Sequence, residues 1–252
     1  MTMEVINSVH NNEVKHVVAL HNKKERVISK EFIAEGIRAC FTLLKSEIKL
    51  KKFYCTSTFY QQHYQELESF SVTLVSNAVM NKISTSHTPS GIVGIFDMPD
   101  NSLADWTTSG LVLAQISDPG NAGTLIRTAA ALKIPTVVCI ESVDLWSPKV
   151  VQSSAGTIGM VNIKQCSWQD LLTHIPSSSL YALTVTNGQD PYNTTLTNSY
   201  IVVGSEAHGI PEEWLSSCQH KITLPMPGNT ESLNAAVAGS IVLYLSFYKN
   251  SF

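Results

Sequence analysis

Continuous apolar runs in the second half of the chain constrain its fold more than any other sequence feature. A strand that is apolar along its whole length is buried on both faces, as in a parallel sheet covered by helices. Helical patterns separate the runs, so we predict an α/β domain with a mainly parallel sheet and helices on both faces. The expected strands are 110–116, 136–140, 160–163, 180–185 and 200–203, and the expected helices are 122–132, 150–155, 168–174 and 231–247.

The first 98 residues predict a smaller α/β module. Apolar residues at helical spacing between Phe32 and Ile48 favour a helix over 27–50. Strands are expected at 53–57, 72–75 and 92–96, and further helices at 61–70 and 77–83. Residues 99–108 are polar and rich in turn-forming types, which is typical of a linker. The predicted organisation is a domain of residues 1–98, a linker of residues 99–108 and a second domain of residues 109–252.

Composition narrows the class of protein. With 252 residues, 44% of them hydrophobic, the chain can bury the cores of two domains. It has no apolar run of the roughly 18–20 residues that a membrane span needs, and no basic start followed by an apolar stretch, so we expect a cytoplasmic protein. The five cysteines are scattered and form no C-x-x-C pair, which argues against a disulfide framework or a metal site.

Charge is unevenly distributed along the chain. The formal net charge is −3, but ten basic and four acidic residues between positions 15 and 52 give that segment +6. A basic segment on an acidic body is typical of a phosphate-facing surface, in which Lys23, Lys24 and Arg26 are candidate nucleic-acid contacts. The same pattern fits a solvated, lysine-rich helical face, and charge alone leaves both interpretations open.

Three polar clusters follow predicted strands. The first begins at Gln115, runs through a Pro-Gly-Asn turn and enters a helix, where Asn121 is placed to cap the first turn. Arg127 lies six residues further on, among small and apolar helical neighbours. A guanidinium in such surroundings is costly without an anionic partner, which indicates either a functional charge or a structural salt bridge.

The second cluster, Val-Gly-Ser-Glu-Ala-His-Gly, again follows an apolar strand. We expect Gly204 to let backbone approach a ligand closely and Gly209 to adopt a positive φ angle. Glu206 lies between them and is a candidate partner for Arg127. His208 is a candidate general base, although an exposed loop histidine is the plainer interpretation. The order of residues does not match the G-x-S-x-G elbow of hydrolases.

The third cluster reads Leu-Pro-Met-Pro-Gly-Asn-Thr-Glu-Ser-Leu-Asn-Ala-Ala-Val-Ala and leads from a strand into the last predicted helix. Ser232 and Asn234 are polar residues in the first turn of that apolar helix, where free N–H groups can hold a carboxylate or a ribose hydroxyl. Capping by Thr230, with Glu231 in the first turn, would explain the helix start without a ligand. It would not explain why Ser-Leu-Asn runs into a series of small residues.

Together the three clusters resemble the motifs of the SpoU/TrmH branch of the SPOUT methyltransferases. Asn-Ala-Gly followed by three residues and Arg is similar to motif one, and the second and third clusters are similar to motifs two and three. The resemblance covers residues 110–247. The N-terminal part resembles, more loosely, the small substrate-binding domain that often precedes this catalytic domain. Ser205 and the pair Ala207-His208 depart from the commoner residues of motif two.

This resemblance implies a SPOUT-like domain whose C-terminal segment threads a deep trefoil knot, which general topology rules would not predict. It implies a homodimer whose sites borrow residues from both subunits, and S-adenosyl-L-methionine as the cofactor. The implied reaction is methylation of a ribose 2′-hydroxyl in structural RNA. The two-domain layout favours ribosomal RNA over transfer RNA, by analogy with the family. No metal is expected.

The resemblance also implies roles for individual residues. Arg127 would stabilise the developing alkoxide and the adjacent phosphate, because an arginine is almost always protonated and is therefore a poor base. Asn121 and Glu206 would orient Arg127, while Ser232 and Asn234 would hold the ribose and its phosphate. The cofactor pocket would be lined by Thr184, Gly204, Leu224, Met226 and Leu233.

Two other interpretations stay open. A nucleotide-binding oxidoreductase would suit a doubly wound sheet, but the turn Gly-Asn-Ala-Gly after the first strand of the second domain does not match G-x-G-x-x-G. A non-catalytic RNA-binding protein with a decayed methyltransferase domain would lack affinity for S-adenosylmethionine. The intact polar residues of the three clusters weigh against it.

Overall fold

The chain forms two compact units in the computed structural model. The structure describes residues 5–100, 106–194, 196, 198–228 and 232–248. The first unit is Met1–Pro99 with Trp146–Gly159, and the second is Asp100–Leu145 with Met160–Phe252. The first break falls beside the predicted linker 99–108, of which residues 101–105 lie outside the described part. The predicted domain of residues 109–252 therefore includes a short segment, 146–159, that packs with the first unit.

Strands and helices alternate along most of the described chain. The strands are β1 Val5–Ile6, β2 Glu31–Glu35, β3 Leu50–Thr56, β4 Val72–Val75, β5 Ile92–Asp97, β6 Gly110–Ala114, β7 Thr136–Ile140, β8 Asn162–Gln165, β9 Leu180–Leu183, β10 Tyr200–Gly204 and β11 His220–Ile222. The α-helices are α1 Asn12–Ala19, α2 Lys23–Ser29, α3 Ile37–Leu43, α4 Ser57–Gln62, α5 Tyr64–Leu67, α6 Asn77–Ile83, α7 Pro119–Ala131, α8 Pro148–Ser153, α9 Trp168–His174, α10 Glu212–Ser217 and α11 Ala235–Leu243. The predictions for 77–83, 136–140 and 168–174 are confirmed residue for residue.

A mixed sheet forms the centre of the first unit, with β1 to β5 in the order β1-β4-β3-β5-β2 among the described residues. Strands β1, β3 and β4 are parallel, and β5 runs antiparallel to both β2 and β3. Helices α1 and α6 cover one face, where Val17, Ile33 and Val79 share a core. On the opposite face Phe32 packs against Trp146, with ring centroids 4.7 Å apart, which explains why the segment around α8 belongs to this unit.

The structure corrects the predicted helix over 27–50. That stretch contains the end of α2, all of β2 and α3, and the start of β3. Lys30 has a left-handed backbone with φ of 57°, which ends α2 because such a residue cannot continue a right-handed helix. Strand β2 is buried along its whole length because its successive residues face opposite covered sides of the sheet. The apparent helical spacing therefore combined residues from separate elements.

The second unit contains a parallel sheet, with β6 to β11 ordered β11-β9-β10-β6-β7-β8 in the part of the chain that the structure describes. All its recorded strand pairs are parallel, as the continuous apolar runs predicted. Helices α7 and α11 pack together against one face, where Gly239 lies close to Leu125 and Val203. Helices α9 and α10 contribute Trp168 and Trp214 to the core on the other face, so helices on both faces are confirmed.

The cysteines are free, and most are inaccessible. Burial raises the pKa of the Cys40 and Cys55 thiols to about 12, so neither is a nucleophile near neutral pH. Among the described residues, no group of three or more His, Cys, Asp or Glu side chains is arranged to hold a metal ion. No helix in the same residues is long and apolar enough to cross a membrane. The expectation that no metal is needed stays a prediction.

Candidate active site

A cavity of about 370 Å³ opens at one edge of the parallel sheet in the second unit. The segments that follow β9, β10 and β11 line it, together with the residues that lead into α11. Because these three strands are parallel, their carboxyl ends meet at the same edge of the sheet. Crevices outside the carboxyl ends of parallel strands are the usual ligand sites of open α/β sheets.

The residues predicted to bind the cofactor all lie in the wall of this cavity: Thr184, Gly204, Leu224, Met226 and Leu233. Glu206 and Ser232, two of the predicted catalytic residues, line it as well. The structure therefore brings these seven residues together at one cavity, and their individual roles stay predictions. The sequence analysis missed other lining residues, among them Leu183, Val185, Ala235 and Ala238.

Backbone contacts within one loop explain the two glycines of the second cluster. A Cβ atom on Gly204 would lie 2.3 Å from the carbonyl carbon of Gly209, so the close approach at this position is to the loop's own backbone. The loop thus gives a second reason for glycine here, and the expectation that Gly204 lets backbone approach a ligand stays a prediction. Ser205 and Gly209 exchange backbone hydrogen bonds of 3.1 and 2.9 Å, which close the loop. Gly209 has the predicted positive φ, at 67°.

Side chains from all three clusters are joined in a hydrogen-bonded row. Asn121 donates from Nδ2 to Oε1 of Glu206 in a short contact. Asn234 donates from Nδ2 to Oδ1 of Asn121 over 3.1 Å. The Oδ1 atom of Asn234 in turn accepts from the backbone N–H groups of Ala236 and Val237 at 2.9 and 3.2 Å. We call Glu206, Asn121 and Asn234 the polar triad.

The helix starts near the polar triad differ from the predictions. Asp118 caps α7, accepting from the backbone N–H of Asn121 at 2.8 Å, so Asn121 lies inside the first turn instead of capping it. Asn234 is the N-cap of α11, which begins at Ala235, and Ser232 therefore precedes the helix. The predicted helix over 231–247 started too early. The alternative cap, Thr230 with Glu231, lies outside the described residues.

Arg127 lies on the exposed side of α7, which corrects the expectation of an apolar environment. Among the described residues no carboxylate forms an ion pair with its guanidinium, and Glu206 bonds to Asn121 instead. Arg127 is also absent from the lining of the cavity, as are Asn121 and Asn234. Within one chain, the structure thus does not bring Arg127 to the other predicted catalytic residues.

Helix α11 and Tyr244, which follows it, carry an exposed apolar face. Val237, Ile241 and Tyr244 are 47%, 39% and 51% exposed, and their spacing places them on one side of the terminal helix. Thr128, the neighbour of Arg127, shares a hydrogen bond of 2.9 Å between hydroxyl oxygens with Ser240 of α11. Helix α7, which carries the exposed guanidinium, is therefore bonded directly to helix α11.

The predicted nucleic-acid contacts of the first unit differ in exposure. Lys23 and Lys24 are exposed on the first turn of α2. Arg26 is only 2% exposed, and its Nη1 donates to the backbone carbonyls of Leu20 and His21 at 2.7 and 2.8 Å. Arg26 was therefore predicted wrongly as a nucleic-acid contact, because its guanidinium is used to hold the turn between α1 and α2.

Part of the basic segment is neutralised within the first unit. Lys51 donates to Glu31 over 2.5 Å, and His16 lies 2.6 Å from the same carboxyl group. Burial opposes the ionisation of Glu31, but the hydrogen bonds from Lys51 and His16 outweigh it and hold its pKa below the ordinary value. Lys52 pairs with Glu13 at 3.0 Å. The exposed cationic surface is therefore smaller than the sequence count indicates.

Comparisons with known proteins agree with this fold. The model of the SpoU rRNA methylase family matches residues 109–244, and an MRM3-like substrate-binding domain matches residues 11–94. A crystal structure of an RNA 2′-O ribose methyltransferase superposes with a TM-score of 0.84 at 28% identity, covering 99% of this chain and 100% of the other. Such a fold and site define an α/β methylase with an added substrate-binding domain.

The chain belongs to the SpoU rRNA methylase family, as its three clusters indicated. It is 29% identical to the 23S rRNA (guanosine(2553)-2′-O)-methyltransferase RlmP of Bacillus subtilis, over 96% of this chain and 98% of that protein. It is 31% identical to the uncharacterized tRNA/rRNA methyltransferase slr1673 of Synechocystis, over 95% and 92%. These relatives match the chain over nearly its full length, so both predicted domains have counterparts in them.

Proposed function

We propose that this protein transfers a methyl group from S-adenosyl-L-methionine to a ribose 2′-hydroxyl of ribosomal RNA. One observation carries the proposal: the polar triad joins three clusters that are far apart in the sequence, and two of these clusters line one cavity, which Glu206 of the triad reaches. A decayed domain has no physical reason to keep such a row of paired side chains, because exposed hydrogen bonds add little to stability. The non-catalytic alternative is therefore less well supported.

The cavity suits S-adenosylmethionine in size and in chemistry. Its volume of about 370 Å³ falls in the range of roughly 300–1,000 Å³ that is usual for drug-sized ligands. Leu183, Leu224 and Met226 offer apolar surface to a purine ring, and Thr184 and Ser232 offer hydroxyl groups to polar atoms. When bound, the cofactor supplies a methyl group on a positively charged sulfur, which is activated for transfer to an oxygen.

Arg127 acts on the RNA, in our proposal, from the partner subunit. Its guanidinium is exposed and has no carboxylate partner among the described residues, so it is free to bind the anionic backbone next to the target ribose. There it stabilises the negative charge that develops on the 2′ oxygen as the hydroxyl proton leaves. A phosphate oxygen of the RNA accepts that proton, because an arginine is already fully protonated.

The polar triad positions the site. Asn234 is fixed by the first turn of α11, Asn121 is held by Asn234, and Glu206 is held by Asn121. Glu206 reaches the cavity with one carboxylate oxygen committed to Asn121. We propose that its other oxygen receives the partner subunit's Arg127, while Ser232 contacts the ribose or its phosphate. Asn121 and Glu206 would then orient Arg127 as the sequence predicted, but the arginine would come from the partner subunit.

The exposed apolar face of α11 supports a homodimer. Val237, Ile241 and Tyr244 would be costly to leave in water together and are suited to a symmetric contact. We expect a heterodimer of one Arg127→Ala chain and one Asn121→Ala chain to be far more active than either variant homodimer, because one of its two sites has both residues intact. Failure to gain activity, in heterodimers isolated with two affinity tags, would place Arg127 in the site of its own chain.

We also infer the trefoil knot of this family. Strand β11 lies at the edge of the sheet beyond β9, yet α11 packs against α7 and against Val203 of β10. The segment between β11 and α11 must therefore return past the loops that follow β9 and β10, and the cavity lies where these segments meet. If the segment between β11 and α11 is threaded through these loops, the knot would hold the cavity walls in place even without a bound ligand.

We propose that the first unit binds the substrate and that this substrate is ribosomal RNA. The unit matches an MRM3-like substrate-binding domain, and Lys23 and Lys24 are exposed cations on it. The full-length relative of Bacillus subtilis is named for methylation of 23S rRNA. A cytoplasmic location, where ribosomal RNA is made in bacteria, stays a prediction.

A transfer assay tests the function. Total RNA from cells that lack this enzyme is incubated with the protein and methyl-labelled S-adenosylmethionine, and the RNA is digested to nucleosides. We expect the label in a 2′-O-methylnucleoside. Label in a base would keep the fold and refute the proposed chemistry. Equilibrium binding of the cofactor is measured alongside, and a protein without transfer or cofactor affinity would support the decayed RNA-binding alternative.

A further inference from the structure

The first unit has a cavity of its own, of about 230 Å³. It lies where the parallel strands β3 and β4 end, and α4, α6 and residues 89–91 complete its walls. Phe59 and Met80 provide apolar surface in it, and Phe59 packs over Gly91 with its ring stacked at 4.4 Å on His63. We call this cavity the amide pocket, because Gln62, Asn77 and Asn81 line it.

The polar groups of the amide pocket are available to a ligand. No hydrogen bond joins the side-chain amides of Gln62, Asn77 or Asn81 to any described residue. The residues that line the pocket, as far as the structure describes them, include no charged side chain. A phosphate is bound by arginine, lysine or backbone N–H groups, whereas primary amides offer a donor and an acceptor side by side. The chemistry therefore suits a neutral, flat group with both donors and acceptors on its edge.

The wall formed by residues 89–91 is tied to β3, because the backbone N–H of Thr56 donates to the carbonyl of Gly91 over 3.0 Å. Glu35 of β2 is only 5% exposed and accepts from the hydroxyl of Ser84 at 2.5 Å and from the backbone N–H of Thr85 at 3.0 Å. Gln152 adds a bond of 3.1 Å to Ser86. These contacts fix the start of the connection between α6 and β5. This backbone part of the pocket is thus held in place before a ligand binds, which lowers the entropy that is lost on binding.

We propose that the amide pocket binds one unpaired base of the substrate RNA. Proteins recognise RNA sequence mostly through bases that are splayed out of a helix, held against apolar or aromatic side chains and hydrogen-bonded at their edges. Asparagine and glutamine amides match such edges. The volume is below the roughly 300 Å³ at which drug-sized ligand sites begin, which suits a single base better than a whole cofactor. This inference rests on the proposed RNA substrate.

Binding of short RNAs to the full chain tests the pocket. The probes are fluorescent single-stranded octamers of each nucleotide and a hairpin with a minimal loop, and the test variant is Gln62→Ala with Asn81→Ala. The control is Gln61→Ala with Gln65→Ala, which removes two exposed amides of α4 and α5 that do not line the pocket. We expect the Kd for the preferred octamer to rise about tenfold or more in the test variant only, given the usual value of a base-edge contact.

The outcomes separate this inference from the proposed function. An unchanged Kd in the test variant, an equal rise in the control, or no wild-type binding to any octamer overturns the pocket. Both variants change exposed side chains, so unfolding temperatures are expected to match the wild type, and Asn81→Asp provides a second test that keeps the side-chain size. In the methyl-transfer assay the test variant should raise KM for RNA and leave kcat unchanged. If the test variant loses octamer binding while the wild type binds octamers but transfers no methyl group, the pocket is supported and the methyltransferase function is refuted.

Discussion

Each unit of the molecule places a cavity at the carboxyl ends of parallel strands, but the two cavities are built from different side chains. In the second unit the polar groups of the triad are bonded to one another: Asn121 donates to Glu206 and is itself held by Asn234. In the first unit Gln62 and Asn81 have amides with no partner among the described residues. The same strand arrangement thus supplies two crevices, and the pairing of side chains distinguishes a site built for chemistry from a site built for recognition.

This contrast predicts which kinetic constant each unit controls. A pre-bonded site stabilises charge that appears only in the transition state, so changes there lower kcat. An unpaired, neutral pocket stabilises bound substrate and transition state alike, so changes there raise KM. Variants of the second unit should therefore affect kcat, and variants of the first unit should affect KM for RNA.

The largest effect is expected from Arg127→Ala. Without the guanidinium, the charge on the ribose oxygen loses its main stabilising partner, and we expect kcat to fall about 1,000-fold, at the upper end of what loss of one such donor costs. The cofactor Kd should stay within twofold, because Arg127 does not line the cavity. Single-turnover transfer and calorimetry measure the two quantities.

The control for Arg127 is Lys133→Asn, which removes an exposed charge just beyond the end of α7. Lys133 has a left-handed backbone with φ of 56°, which asparagine tolerates better than most residues. The Lys133→Asn variant should retain the wild-type kcat. Equal losses in both variants would mean that the general charge of this surface is responsible, and full activity of Arg127→Ala would remove it from the mechanism.

A smaller loss is expected from breaking the polar triad. Asn121→Ala leaves Glu206 and Asn234 without their shared partner, and we expect kcat to fall about 100-fold with an unchanged cofactor Kd. Asn121→Asp is the matched variant: it places a second carboxylate beside Glu206 and should be at least as damaging. A triad that is only structural would instead lower the unfolding temperature and leave kcat intact.

Arg26 should affect stability and not RNA binding. Arg26→Met keeps much of the buried side-chain volume but removes the donors to the carbonyls of Leu20 and His21, at a cost of about 2–3 kcal/mol. Denaturant unfolding gives this number. At a temperature where the variant stays folded, its KM for RNA should equal that of the wild type. A raised KM in folded protein would restore Arg26 as an RNA contact.

The smallest effect is expected from Lys23→Gln combined with Lys24→Gln. Two exposed charges that contact phosphate release about two counterions, so the slope of log Kd against log salt should fall by about 1.4–1.8. The Kd at moderate salt should rise by a few fold, with no change of target. An unaltered slope would show that these lysines are simply solvated.

Much of the fold follows from the sequence because it depends on local burial. Strands β6, β7 and β10 are buried at each position and almost entirely apolar, and this pattern has few meanings other than a covered parallel sheet. The predicted helix over 27–50 was wrong because β2 offers only three apolar residues between two glutamates, and so short an apolar run has no period of its own. The left-handed turn at Lys30 gives no signal in its residue type.

The sequence predicted which residues form the candidate site better than it predicted the hydrogen bonds between them. Motif residues placed Glu206 and Ser232 at the cavity, yet the bonds of the polar triad join residues 85 and 113 positions apart, which no local pattern reveals. The burial of Arg26 depends on a turn between two helices, and the exposure of Arg127 depends on where α11 packs. Such facts are set by tertiary contacts, and one sequence alone does not show them.

The most direct test of the central claim is a map of ribose methylation in cells with and without this gene. Ribosomal RNA from both strains is analysed nucleotide by nucleotide for 2′-O-methyl groups, and the purified protein is then used to restore the missing group in ribosomal RNA from the deleted strain. The account predicts that a 2′-O-methylated nucleotide of ribosomal RNA disappears and is restored by wild type but not by Arg127→Ala. An unchanged ribosomal map, with a methyl group lost from transfer RNA or from a base, would contradict it.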